Sequence, residues 1–233
     1  MRLGIMQPYF LPYLGYFQLM AATERFVLLD DVNYIKGGWI NRNRILLDGE
    51  ARWLTMPLAK ASPNRLICDI EIESGAAWKL KMLRSVEAAY GKARFFTQAF
   101  AILEEILTTS EIGLSRFLYR SLSILSDNLG MDSEIVQTSA VYPNRELPGA
   151  RRVLDICLKE TANIYVNAPG GKGLYDPDLF RRAGVELQFL SPILPPYAQN
   201  TKEFVSGLSI IDALMWNTPE EVLTMIQQYE LSK

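Results

Sequence analysis

The chain opens on a short apolar run, Leu3 to Met6, closed by Gln7-Pro8, which predicts a buried strand ending in a loop. Pro8 and Pro12 hold Tyr9 to Tyr13 extended, and after Gly15 the stretch Tyr16 to Ala22 carries Phe17 and Met20 on one helical face. Phe26 to Leu29 is the next apolar run and ends in Asp30-Asp31. Strand, turn, helix, strand is the start of a βαβ unit, whose strands lie parallel with polar residues at their carboxyl ends. Ile45-Leu46-Leu47, Asp48-Gly49 and Arg52-Trp53-Leu54-Thr55 predict a tight hairpin, because Asp-Gly supplies the positive φ angles of a primed turn. The alternating run Leu66 to Ile72 predicts one more strand.

From Ala76 the apolar spacing changes to three and four: Trp78 to Ala89, Phe95 to Leu107 and Ser115 to Leu129 predict helices. Alternation between the two types then resumes. Glu134 to Thr138, Ile164 to Val166 and Val185 to Leu190 predict strands, with helices at Ala150 to Glu160 and Pro177 to Arg182. After the extended loop set by Pro192, Pro195 and Pro196, two helices follow, Leu208 to Met215 and Pro219 to Tyr229, the second started by Thr218 as N-cap. The pattern predicts one three-layer α/β domain over residues 1–233. Its sheet is mainly parallel, with the hairpin extending from it and a helical insertion over residues 76–129.

Composition narrows the chemistry. Of 233 residues, 49% are hydrophobic and 21% charged, the profile of a folded globular chain. With no histidine at all, imidazole bases, Ser-His-Asp or Cys-His nucleophiles and HExxH zinc sites are excluded within the chain. Cys68 and Cys157 are too far apart for a CxxC pair and read as small buried hydrophobes in a reducing compartment, so no metal site is expected. The amino terminus enters a strand directly and no apolar stretch is long enough for a membrane span, which makes the cytoplasm the expected location. A net charge of −2 supplies no global field for nucleic acid, so a small molecule is the expected partner.

Three clusters could carry chemistry. The first, Gln7, Tyr9, Tyr13, Gly15 and Tyr16, lies where the first strand ends and the first helix starts, a place where open α/β sheets bind ligands. The second runs from Asp30 to Arg44. Its carboxylates could hold Mg²⁺, and Lys36, Arg42 and Arg44 could grip phosphate, with Asn41 between them. Adjacent strand residues face opposite ways, so at most one of Asp30 and Asp31 points into a site; Asp31 and Lys36 are the candidate catalytic pair. The third is the Gly-rich turn Ala168 to Gly173, in which Gly171 and Lys172 could cradle an anion without forming a Walker motif. Tyr197 and Gln199, in a later extended loop, are further donors.

These segments carry a family resemblance. QPYFLPYLGYFQL from Gln7, DDVNYIKGGWINRNRI from Asp30 and WLTMPL from Trp53, with YVNAPGGKGLYD, PPYAQ and LSIIDAL later, resemble the WbqC-like family. The resemblance implies a part in making bacterial O-antigen or another surface polysaccharide, as a transferase placing an amino acid such as glycine, or another acyl group, on an amino sugar. A non-catalytic protein that binds a nucleotide or nucleotide sugar is the alternative. The chain departs from the family at Gly37, where a basic residue is common, and after Trp78, where a His often follows. Tyr13-Leu14-Gly15-Tyr16 is also similar to the His-x-Gly-His turn of nucleotidyltransferases and pantothenate-synthetase-like ligases, with tyrosine at both His positions. That similarity implies a nucleotidyltransferase-like (HUP-type) sheet and ATP with Mg²⁺ as cofactor. If the sheet is parallel, Gln7, Tyr9, Tyr16, Asp31, Lys36, Asn41, Arg42 and Lys172 are expected to line a common cleft.

Overall fold

The computed structural model describes residues 1–233. β1 (Arg2–Met6) leads through α1 (Leu14–Ala21) to β2 (Arg25–Leu28). β3 (Arg42–Leu47) and β4 (Glu50–Thr55) form the hairpin, and β5 (Leu58–Ala59) and β6 (Glu71–Ile72) a small antiparallel pair. Three helices follow, α2 (Ala77–Tyr90), α3 (Phe96–Thr108) and α4 (Leu114–Asn128). The chain then alternates through β7 (Glu134–Val136), α5 (Gly149–Lys159), β8 (Ile164–Asn167), α6 (Pro177–Arg182) and β9 (Glu186–Pro192). It closes with α7 (Ile210–Trp216), α8 (Pro219–Ile226) and β10 (Tyr229–Ser232).

The central sheet has six strands in the order β10-β9-β8-β1-β2-β7, parallel throughout except for β10 on β9. Alternation along the strands divides the core. Leu3, Ile5, Val27, Tyr165 and Phe189 face α5 and α6 and pack on Val153, Ile156 and Phe180. Phe26, Leu28, Val166 and Leu190 face the other way, onto α1, α8 and the helical segment α2 to α4. The architecture is therefore the α/β class with a mainly parallel sheet that the periodicity predicts.

The hairpin turn is as expected: Asp48 and Gly49 have φ of 53° and 77°, and Leu47 pairs with Glu50. Its two strands form a sheet of their own instead of extending the central one, and α2 supports it where the Tyr90 hydroxyl accepts from the Leu46 N–H at 2.8 Å. Leu66 to Ile72 is not a continuous strand. The N–H groups of Ile67 and Cys68 donate to Val32 and Asp30 carbonyls, which pins the segment as a 3-10 turn over Ile67–Asp69 and leaves Glu71–Ile72 to pair. The last helix stops at Ile226, because the buried Gln18 amide caps the carbonyls of Met225 and Gln228, and Tyr229 onward forms β10. Cys157 is buried as expected, its thiol pushed up to about 12 by burial. Cys68 is half-exposed instead, and burial together with Asp30, Asp69 and Asp31 pushes its thiol up to about 11. No helix is long and apolar enough to cross a membrane.

Candidate functional site

Counted along the chain, the parallel strands β1, β2, β7, β8 and β9 stand in the spatial order 3-2-1-4-5, so the connections leave β1 and β8 toward opposite faces. That divergence opens a crevice at the carboxyl ends of these two strands, the place where doubly wound sheets bind ligands. Here it is a cleft of about 330 Å³. Its floor is Met6 of β1 and Ala168 after β8, and its walls are Tyr9, Tyr13, Gly15 and Tyr16 on one side and Trp39, Asn43, Arg44 and Gly207 on the other. A larger depression of about 760 Å³ lies at the hairpin tip beside the end of α2, away from the sheet edge.

The tyrosine wall is built by close packing. Tyr16 is buried, lies 5.4 Å from the Tyr9 ring and donates its hydroxyl to the Gln7 carbonyl at 3.0 Å. Tyr13 lies across the first turn of α1, where a Cβ on Gly15 would come within 2.5 Å of its ring and 2.7 Å of its hydroxyl. Gly15 is thus a close-approach glycine for the Tyr13 ring. Gly15→Ala is expected to destabilise by about 1–2 kcal/mol despite the better helix propensity of alanine. Adding Tyr13→Ala should relieve that cost in urea denaturation; equal additive losses would show that the two positions do not couple.

With Tyr16 engaged, the hydroxyls of Tyr9 and Tyr13 have no partner in the protein. Burial raises the pKa of all three phenols, so near neutral pH each is a protonated donor. The cation of the cleft is Arg44. One of its terminal nitrogens donates to the Gly207 carbonyl at 3.3 Å, its Cζ lies 5.6 Å from the Trp39 ring centre, and its Nε is buried without a partner.

The backbone beneath the tyrosines is held from several directions. The Asn43 amide donates to the carbonyls of Phe10 (3.2 Å) and Leu11 (2.9 Å), Ser209 Oγ donates to Leu11, and the Phe10 N–H donates to the Trp39 carbonyl. Leu11 takes a left-handed φ of 43°, strain that these bonds and its complete burial sustain. Asn43, Ser209 and Trp39 therefore shape the cleft; Trp39 and Asn43 stand in the Asp30 to Arg44 cluster without a role assigned to them from the sequence, and Ser209 lies outside all of the clusters. For Asn43 the strand alternation of Asn41-Arg42-Asn43-Arg44 holds the signal, since it sends the asparagines and the arginines to opposite faces.

The expected common cleft separates into distinct places. Tyr9, Tyr13, Gly15, Tyr16 and Arg44 share the β1–β8 cleft. Asn41 is buried behind it, accepting from the Tyr34 hydroxyl at 2.8 Å and donating to the Met56 carbonyl at 2.8 Å. Arg42 caps the 35–38 turn through its bonds to the Gly37 and Gly38 carbonyls and stacks 4.0 Å over Trp53, while Lys36 is exposed on that turn. Lys172 lies on the other face of the sheet, its ammonium 5.7 Å from the Phe189 ring, beyond the buried Gly171. Tyr197 and Gln199 bond to Asp212, a carboxylate with no exposure, at 2.7 and 2.9 Å.

Asp30 and Asp31 are both buried just beyond β2, beside the end of β7, and their carboxylates do not diverge as strand neighbours would but converge on Ser139, whose Oγ lies 3.3 Å from Asp30 and donates to Asp31. Asp30 accepts from Thr138 Oγ1 (2.7 Å), the Ser139 N–H (3.0 Å) and Ser115 of α4. Asp31 pairs with Arg152 of α5 at 2.5 Å, accepts from Ser139, and has Arg145 at 3.7 Å. Burial would raise the Asp31 carboxyl, but the hydrogen bonds from Arg152 and Ser139 and the charges of Arg152 and Arg145 outweigh it and hold it below its usual range. No cluster of three or more His, Cys, Asp or Glu is placed to hold a metal ion. The cleft wall carries no carboxylate, and Asp30 and Asp31 are taken up by protein donors, so these residues do not fit a Mg²⁺ anchored by the protein.

Over residues 7–224 the chain matches the WbqC-like protein family. It is also 27% identical over 218 residues to the uncharacterized protein Rv1507c of Mycobacterium tuberculosis, covering 91% of this chain and 92% of that protein. No solved structure matches it.

Proposed function

The chain belongs to the WbqC-like protein family, and we propose that it is a transferase of bacterial surface-polysaccharide (O-antigen) assembly that binds a nucleotide-linked amino sugar in the β1–β8 cleft and places an aminoacyl or acyl group on it. The observation that carries the ligand class is the meeting, at the switch point of a parallel sheet, of one guanidinium with two unengaged phenol donors over an apolar floor. Arg44 supplies the positive charge a diphosphate needs, and Tyr9 and Tyr13 donate to its oxygens as neutral groups. The tyrosine rings and Met6 offer the flat apolar surface that a nucleobase needs. The polysaccharide and the transferred group rest on the motifs shared with the family. In this reading Lys36 is a further cation for a phosphate or leaving group, and Asp31, already paired with Arg152, orders the neighbouring loop.

A second reading, a protein that binds a nucleotide sugar without transforming it, is favoured by the absence of carboxylate or imidazole from the cleft wall. Calorimetric titration with UDP- and dTDP-sugars, followed by turnover assays with activated aminoacyl and acyl donors, decides between the two. Arg44→Ala is expected to weaken binding by about 1–3 kcal/mol, the range for a hydrogen bond to a charged group, and to lower folding stability by about 1 kcal/mol for the lost bond to Gly207, so the variant stays folded under the conditions of the titration. Binding with product supports the transferase, binding without product under every donor supports the second reading, and wild-type protein that binds no nucleotide sugar would sink both.

A further inference from the structure

Two of the four tryptophans, Trp78 and Trp216, pack against the core, whereas Trp39 and Trp53 belong to neither core cluster and are 36% and 48% exposed. These two indoles touch each other, with ring centres 5.3 Å apart at 46°. Hairpin register explains their place. Arg44 and Trp53 are directly opposed across β3 and β4, so they share a face, and Arg42, two residues along, reaches diagonally over the Trp53 ring at 4.0 Å. Gly37, at φ 76°, turns its own carbonyl and that of Gly38 onto Arg42, and the Trp39 carbonyl is tied to the Phe10 N–H. The indole pair is therefore held rigidly in solvent without serving the core. Exposed apolar surface of this kind marks a ligand face.

Trp39 also lines the β1–β8 cleft, with Arg44 beside it, so the pair forms the outward continuation of that cleft. We propose that Trp39 and Trp53 form an outer subsite for the hexopyranose ring of a nucleotide sugar, whose diphosphate lies on Arg44 and whose nucleoside lies inward among the tyrosines. The proposal rests on the cleft reading above and adds the orientation of the ligand. A pyranose has an apolar C–H face that lies flat on an indole, while its hydroxyls stay in water, which an open platform permits and an enclosed cleft does not. The nucleobase, flat and poorly hydrated on both faces, fits the enclosed tyrosine wall. The platform itself is cationic, with Arg42 over Trp53 and Arg44 beside Trp39, in a chain whose net charge is −2, which complements a phosphate-linked sugar.

The test compares UDP with UDP-N-acetylglucosamine, and dTDP with dTDP-glucose, by calorimetry on wild type, Trp53→Ala and Trp53→Phe. Wild type should bind at least one sugar nucleotide more tightly than its bare nucleotide. Trp53→Ala should remove that gain, a loss of roughly three- to tenfold as expected for one aromatic contact, with the affinity for the bare nucleotide unchanged, and Trp53→Phe should keep most of it. Equal wild-type affinity for nucleotide and sugar nucleotide would overturn the outer subsite while leaving the cleft reading intact. So would a Trp53→Ala variant that weakens the bare nucleotide equally, or one whose only change is loss of a dimer in sedimentation. Absence of binding by all four probes would overturn both.

Discussion

Arg152→Ala is expected to destabilise the protein by about 3–5 kcal/mol, because it leaves the Asp31 carboxylate buried without its counter-charge. Arg152 is 7% exposed and gives Asp31 its 2.5 Å contact, and its Nε donates to Asn144, which in turn donates to Asp155. Arg145 is no substitute, being 3.7 Å away and 60% exposed, and Arg145→Ala should cost under about 1 kcal/mol. Replacing both partners, as in Asp31→Leu with Arg152→Met, should recover much of the loss, since a buried pair is dearer to break than to exchange for apolar bulk. The acid limb gives an independent check. The Asp31 pKa is lower folded than unfolded, so its contribution is present above about pH 4 and is lost as pH falls through the folded value. Without Arg152 the same burial raises that pKa, so the deficit of the variant should shrink as urea midpoints are followed from pH 7 to pH 3. A deficit under 1 kcal/mol at pH 7, or one that grows in acid, would refute this account.

Much of the scaffold is legible in the sequence because it depends on near neighbours. The run Leu3 to Met6, the break at Pro8 and the run Phe26 to Leu29 lie within one βαβ unit, and Asp48-Gly49 specifies its turn with two residues. The same locality groups Tyr9, Tyr13, Gly15 and Tyr16, which the structure places in one cleft. Arg44 joins them only because the hairpin folds back, and no local pattern says which of Lys36, Arg42 and Arg44 faces inward. Arg152 reads along the chain as one more polar residue on an amphipathic helix, since its partner lies 121 positions away. β10 is missed for a similar reason: Tyr229 to Ser232 alternates over four residues only, and it is β9 that makes it a strand. Lys172 fails the expectation of convergence because the chain leaves β8 toward the face opposite the one that α1 occupies, which depends on the crossover and not on the glycines around it.

Asp212 shows how the late motifs act as one unit, and its replacement is expected to be the other severe lesion. It lies in the first turn of α7 without exposure, and its carboxylate accepts from the Tyr90 hydroxyl (2.6 Å), the Tyr197 hydroxyl (2.7 Å) and the Gln199 amide (2.9 Å). The same Gln199 side chain both accepts from the Val205 N–H and donates to its carbonyl, and Tyr90 accepts from Leu46 of the hairpin. One carboxylate thus ties α2, the hairpin and the loop after β9 to α7. Asp212→Ala strands the Tyr90 and Tyr197 hydroxyls, takes one of the two acceptors from the Gln199 amide and opens a cavity, a loss of about 3 kcal/mol or more. Asp212→Asn keeps an acceptor and should cost much less. The pH dependence separates charge from shape. Burial raises the Asp212 carboxyl above its usual range despite its three donors, so the ionised form weighs against the fold at neutral pH. That penalty fades as pH falls from above the folded pKa through the unfolded value near about 4, below which both states are protonated. The stability of wild type relative to Asp212→Asn should therefore rise on acidification, opposite in sign to the Asp31 contribution. A relative stability that falls instead would mean that Tyr90, Tyr197 and Gln199 favour the carboxylate more than burial disfavours it, and the motif pair would then be an anion clamp.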